Sequence, residues 1–262
     1  MSLRRPCVLV FAGLDPSGGA GIQADIEAIS AMGAHALPIV TTLTVQDNDR
    51  VFAVHAVDAA IVRQQAQALM AKLSIAAIKI GIVGSDENAA VIADIIQTLR
   101  LQQPDLPVVL DPVLASGHGD ALARVNAVQM LAPLRSLATL ITPNLPEAAA
   151  LCEGVSALQL QLAHLLRDAK HVLIKGGHGD GDQVVNRWFT GSKHRSWQWP
   201  RLPGEFHGSG CTLAASIAAC LAHGQTMETA LNDAQAITQH SLAHAYAIAD
   251  GQLIPSRIQE RT

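Results

Sequence analysis

The run Cys7-Val8-Leu9-Val10-Phe11-Ala12 passes straight into Gly13-Leu14-Asp15-Pro16-Ser17-Gly18-Gly19-Ala20-Gly21, and that junction decides the fold. An apolar run of this length makes one buried strand, and the glycine-rich turn after it opens a stretch of helical period. The same succession recurs along the chain. Strands are expected at Cys7–Ala12, Ala36–Leu43, Ala76–Ile80, Pro107–Leu110, Ala138–Ile141 and His171–Ile174. Helices are expected between them, at Gly19–Met32, Ala59–Leu73, Glu87–Leu101, Arg124–Leu131 and Ala157–Ala169. Strand, helix, strand in regular order requires crossover connections, hence a mainly parallel sheet covered by helices on both faces. The rhythm changes once. Gln183–Phe189 and His194–Trp199 flank Thr190-Gly191-Ser192-Lys193 as an antiparallel hairpin that carries all three tryptophans, at the far side of the sheet. Helices at Gly210–Ala222 and Met227–Ala247 then close the chain. With no linker, repeat or low-complexity tract, residues 1–262 are expected to form a single α/β domain.

Composition narrows the function classes. Hydrophobic residues make up 49% of the chain and charged residues 15%, which argues for a packed globular protein and against disorder. Aromatics are only 3%, as suits small aliphatic helices laid on buried parallel strands. A formal net charge of -4, with no cluster of lysine and arginine, gives no footprint for nucleic acid. Arg4-Arg5 precede an apolar run far too short to cross a bilayer, and no cleavage-like site follows it, so neither a membrane span nor a signal peptide is expected. Cys7, Cys152, Cys211 and Cys220 show neither zinc-ligand nor disulfide spacing, which fits a reducing cytoplasm.

Open sheets of this kind bind ligands at the carboxyl ends of their strands. Gly13 to Gly21 leaves the first strand, and its glycines let the backbone approach a ligand at a helix start. It lacks the Gly-Lys-Ser/Thr ending of a P-loop and the dinucleotide spacing. In the helix that follows, Asp25 could complement the dipole or orient a substrate hydroxyl. After strand two, Gln46 offers a donor and an acceptor that suit a heterocycle edge. Leu110-Asp111-Pro112 ends another strand in a carboxylate. Asn144 and Glu147 lie three residues apart in Thr142-Pro143-Asn144-Leu145-Pro146-Glu147. Those two residues read as a helix cap, or with Asp111 as an oxygen shell for Mg²⁺ held mostly through water. Lys175, in Val172-Leu173-Ile174-Lys175-Gly176-Gly177-His178, ends an apolar strand where burial is costly without an anionic partner such as phosphate. Gly208-Ser209-Gly210-Cys211 runs directly into an apolar helix, so its successive N–H groups can cradle an oxyanion or phosphate. Cys211 falls in the first turn, where the dipole is expected to lower the thiol pKa, unless the residue simply packs the helix start.

Together these elements resemble the ribokinase-like kinases, and within them the hydroxymethylpyrimidine/phosphomethylpyrimidine kinases of thiamine biosynthesis. Ser17-Gly18-Gly19-Ala20-Gly21-Ile22-Gln23-Ala24-Asp25 is similar to that family's signature almost letter for letter. Ile141 to Glu147, Leu173 to His178 and His207 to Leu213 follow in the family's order and spacing, over nearly the whole chain. The resemblance implies a three-layer fold and transfer of the ATP γ-phosphoryl group to a pyrimidine's hydroxymethyl oxygen, then to the monophosphate. It implies that Gly13, Asp25 and Gln46 hold the aminopyrimidine, and that Gly208, Ser209, Gly210 and Cys211 form the anion hole. Lys175 would approach the transferring phosphates; Asn144 would serve the nucleotide side, and Asp111 with Glu147 would support Mg²⁺. Homodimers are common in the family. Where the family usually has serine, asparagine, lysine and threonine, this chain has Leu14, Asp47, Gly117 and Ser209. The tail Gly251-Gln252-Leu253-Ile254-Pro255 also replaces the family's glycine- and histidine-rich ending. Two other readings stay open. Cys211 also suits a pyridoxal kinase of the same fold, and the departures suit a non-catalytic pyrimidine-binding relative.

Overall fold

In the computed structural model, which describes residues 4–114 and 127–258, the chain forms one mixed sheet. Its strands are β1 (Cys7–Leu14), β2 (His35–Gln46), β3 (Val51–Ala56), β4 (Ile75–Ile80), β5 (Val108–Leu110), β6 (Leu140–Ile141), β7 (His171–Ile174), β8 (Gln183–Thr190) and β9 (His194–Pro200). Their spatial order is β3-β2-β1-β4-β5-β6-β7-β8-β9. The centre from β2 to β7 is parallel; β3 at one edge and the β8–β9 hairpin at the other run antiparallel. The helices are α1 (Gly21–Ala31), α2 (Ala59–Met70), α3 (Asp86–Arg100), α4 (Ala127–Met130), α5 (Ala132–Arg135), α6 (Leu145–Leu151), α7 (Leu158–Asp168), α8 (Ser209–Ala222) and α9 (Met227–Ala243).

Strand alternation sorts the core into two faces. Leu9, Phe11, Ile78, Ile80, Val108 and Leu110 meet α2, α3 and α5 on one side. Val8, Val10, Ala77, Val109 and Leu173 meet α1, α8 and α9 on the other. Val172 and Ile174 complete the first face against α6 and α7. Each fully buried aliphatic side chain contributes about 1.5–3 kcal/mol relative to exposure. The helix starts are written in the sequence: Ser85 caps α3 by accepting from Asn88 N at 3.2 Å, and Asp86 and Glu87 follow in its first turn.

The expected layering, the six parallel strands and the hairpin all appear. Three expectations change. The edge strand β3 was not anticipated, because its residues are half or fully exposed and Phe52 is 68% exposed, so no apolar alternation marks it. Its pairing also extends β2 to Gln46. The last helix stops at Ala243 rather than 247. Beyond it the chain turns back, with Tyr246 N donating to Ile254 O (3.0 Å) and Ile254 N to Tyr246 O (2.8 Å). The expected helix Arg124–Leu131 is described only from Ala127 to Met130, and positions 124–126 lie outside the described residues, as does Gly117.

Candidate active site

β1 has β2 on one side and β4 on the other, so the crossovers diverge there and leave a crevice beyond the carboxyl ends of the strands. A cavity of about 580 Å³ occupies this position, a size suited to a small ligand. It collects residues from six parts of the chain: Gly13, Gln46, Asp111, Asn144 with Glu147, Lys175, and the start of α8 from Gly208 to Cys211. All but one of the residues expected from sequence reach it.

The exception is Asp25. It sits on the inward face of α1 with Ile22 and Ile29, fully buried, and does not line the cavity. Its Oδ2 lies 2.7 Å from Lys79 Nζ on β4, and both side chains are 0% exposed. Burial pushes the Asp25 carboxyl up to about 6 against the pull of Lys79. Burial lowers Lys79 in turn, but Asp25, Cys211 and Asp111 together outweigh it and hold its pKa above the usual value. Asp25 thus neutralises a lysine beneath the site through Oδ2, while its Oδ1 is left without a hydrogen-bond partner. Lys79 was missed in the sequence, although a lysine between Ile78 and Ile80 carries the same signal that singled out Lys175.

Lys175 Nζ is 2.7 Å from Asp111 Oδ1 and 3.8 Å from Glu147 Oε2. Thr142 Oγ1 donates to the same Asp111 oxygen at 3.1 Å. Burial opposes the lysine's charge, but the two carboxylates overcome it and hold its pKa above the usual value. Glu147 is pushed up to about 7 by burial and by the charge of Asp111, with Lys175 pulling the other way. Asn144 and Glu147 also form a capping box: Glu147 N donates to Asn144 Oδ1 (2.8 Å) and Asn144 N to Glu147 Oε2 (2.7 Å). The capping reading is realised, and both residues also line the cavity.

The α8 start lies above this cluster. A β-carbon on Gly210 would come within 3.2 Å of Lys175 Nζ, so the turn and the lysine face the same volume. Gly208 adopts φ 74°, and a β-carbon there would lie 2.2 Å from Gly19 O. The two glycine-rich elements therefore interlock, and only glycine permits it. Cys211 departs from expectation: burial pushes its thiol up, with Lys79 only partly opposing, so desolvation outweighs the helix dipole.

Two further cavity residues, Asp15 and His207, were assigned no role although both lie within quoted motifs. His207 Nε2 is 2.8 Å from Asp15 Oδ2, and Gln46 Nε2 is 3.4 Å from the same ring nitrogen. A proton shared with Asp15 leaves that nitrogen unable to accept from Gln46, so the amide remains for a ligand. Asp15 also accepts from Ser17 N (2.8 Å), Ser17 Oγ (3.0 Å) and Ala20 N (2.8 Å), fixing the first loop. Arg201 holds the loop after Lys175 by donating to Gly177 O (2.8 Å), Gly179 O (2.7 Å) and Gly181 O (2.7 Å).

Residues 15–255 match the family model for phosphomethylpyrimidine kinase. The chain is 37% identical over 257 residues to a hydroxymethylpyrimidine/phosphomethylpyrimidine kinase of Rhizobium meliloti, covering 93% of each chain. Against the Escherichia coli enzyme of that name it is 34% identical, covering 95% of each. Among solved structures, a phosphomethylpyrimidine kinase from Clostridium difficile superposes with a TM-score of 0.77 at 30% identity, covering 91% of this chain and 100% of that one. A Staphylococcus aureus pyridoxal kinase in complex with AMP-PCP and pyridoxal shares the fold, with a TM-score of 0.86 at 24% identity, covering 97% and 94%. Among the described residues no helix is long and apolar enough to cross a membrane.

Proposed function

Because the chain belongs to the phosphomethylpyrimidine kinase family, we propose that it transfers the γ-phosphoryl group of ATP to the hydroxymethyl oxygen of 4-amino-5-hydroxymethyl-2-methylpyrimidine, and then phosphorylates the resulting monophosphate. The observation that carries this reading is the meeting, in one cavity, of Lys175 and the Gly208–Cys211 helix start with the side-chain amide of Gln46.

Phosphoryl transfer passes through a loose transition state, so catalysis rests on positioning and on neutralising the oxygens of the moving group. In this role Gly13 allows the pyrimidine against the backbone of β1, and Gln46 reads its edge. Lys175 balances charge on the transferring phosphoryl group. The N–H groups of Gly208, Ser209, Gly210 and Cys211 receive its oxygens at the positive end of α8. Cys211, with a raised thiol pKa, forms part of the anion hole's wall rather than a ready base. Little base catalysis is needed when bond breaking to the leaving group leads. Asn144 caps α6 beside the nucleotide phosphates.

The donor set also fits Mg²⁺. Asp111 and Glu147 face the cavity with one lysine between them, leaving an excess of negative charge. Mg²⁺ is typically held by one or two carboxylates plus phosphate oxygens and water. When bound it would neutralise charge on the nucleotide phosphates.

The test is mass detection of products after incubating the pure protein with the pyrimidine, ATP and Mg²⁺. The expected outcome is monophosphate first and diphosphate later, each matched by ADP. Binding of the pyrimidine without ADP formation would refute the kinase reading and establish a binding protein instead.

A further inference from the structure

The tail beyond α9 returns beneath the site. His207 N donates to Leu253 O (2.9 Å) and Leu253 N to Glu205 O (2.8 Å), which lays the tail alongside the approach to the anion hole. This return delivers Arg257, whose side chain is 0% exposed. A buried guanidinium is costly unless its donors are used. Here Nε donates to Thr212 Oγ1 at 2.7 Å and Nη2 to Gly19 O at 2.5 Å. Nη1 pairs with Glu27 Oε2 on α1 at 3.2 Å, and Nη2 also approaches His207 O at 3.4 Å.

The choice of partners matters. Gly19 belongs to the loop that leaves β1. His207 and Thr212 bracket the four residues of the anion hole. Thr212 Oγ1 hands the connection on by donating to Gly208 O at 2.9 Å. Gly19 O is also the atom against which Gly208 rests, at a distance no β-carbon could tolerate. Arg257 thus grips the point where the two glycine-rich elements interlock, and holds the anion-hole turn at both ends. It does not itself line the cavity. Only a planar fork of donors can serve acceptors in these directions; an ammonium group keeps the charge opposite Glu27 but cannot bridge the rest.

We propose that Arg257 is a positioning residue for phosphoryl transfer, clamping the first glycine-rich loop onto the anion hole and so fixing the direction of the Gly208–Cys211 N–H groups. The proposal rests on the kinase reading above for its effect on turnover, while the clamp itself is measurable without activity. A misplacement of about 1 Å costs on the order of 100-fold in rate, so Arg257→Lys should lower kcat by about that factor while the KM for the pyrimidine stays within about threefold. Its melting temperature is measured alongside, so that turnover is compared at equal folded fraction. Methylguanidinium should restore part of the turnover to Arg257→Ala.

Amide hydrogen exchange over residues 207–212 is read in the same proteins. It should be at least about tenfold faster in Arg257→Lys, with β1, β4 and β5 unchanged, as expected for a local loss of protection. Unaltered exchange over 207–212 in a folded Arg257→Lys protein would overturn the clamp. A kcat that falls only in step with the folded fraction, or does not fall, would overturn its link to catalysis. Absence of turnover in the parent protein would instead remove the kinase reading and leave the exchange result to decide the clamp.

Discussion

Lys79 and Lys175 each lie at the carboxyl end of a buried parallel strand, and each places its ammonium 2.7 Å from a carboxylate. Their surroundings differ. The Lys79–Asp25 pair is sealed between β4 and α1 with 0% exposure on both sides, one positive charge against one negative. Lys175 is 13% exposed at the cavity wall and faces two carboxylates, Asp111 and Glu147. The closed pair is balanced in charge, although Asp25 Oδ1 is buried without a hydrogen-bond partner. The open cluster is unbalanced, and the rise of Glu147 to about 7 records the cost of a second buried negative charge beside Asp111. The difference separates structure from chemistry: a balanced pair holds a fold together, whereas an unbalanced one is completed by a ligand. In the proposed function, phosphate would bring negative charge to Lys175 and the α8 start, and a divalent cation would bring positive charge to Asp111 and Glu147.

The contrast can be broken from either side. Removing one partner of a buried pair strands the other, so Lys79→Met should cost about 3–5 kcal/mol of stability in urea unfolding. Adding Asp25→Leu should recover most of that loss, because two apolar groups can replace a buried pair at little net cost. Failure of the second change to restore stability would mean that Asp25 does more than neutralise Lys79. At the open site, Lys175→Met also strands Asp111, which is 1% exposed, so unfolding should come earlier here too; kcat should in addition fall by about 100- to 1000-fold, roughly 2.7–4 kcal/mol, as for the loss of one donor aimed at transition-state charge. Steady-state turnover and a melt on the same sample check both halves. A Lys175→Met protein that keeps its turnover per folded molecule would reverse the assignment.

Much of this was legible in the sequence because the signals were local. An apolar run located every central strand, and the spacing of Asn144 and Glu147 gave the capping box now seen at α6. The residues that escaped are those whose meaning depends on partners far along the chain. Asp25 occurs at helical spacing between Ile22 and Ile29, which places it on the buried stripe of α1, yet only the sheet order brings Lys79 beneath it. Arg257 lies in no helix or strand, and its four partners are drawn from positions 19, 27, 207 and 212. The thiol of Cys211 shows the limit of a one-term argument: its place in a helix first turn was read correctly, but burial rather than the dipole sets the direction of its pKa. The edge strand β3 was missed because its exposed side chains carry no alternation, and strand pairing alone makes it a strand.

The central claim is that this cavity phosphorylates an aminopyrimidine. Its most direct test is a side-by-side measurement of kcat/KM for 4-amino-5-hydroxymethyl-2-methylpyrimidine and for pyridoxal, with ATP and Mg²⁺ in excess. A site that hydrogen-bonds a particular heterocycle edge should favour the pyrimidine by at least about tenfold. A preference for pyridoxal, or no ATP turnover with either acceptor, would contradict it.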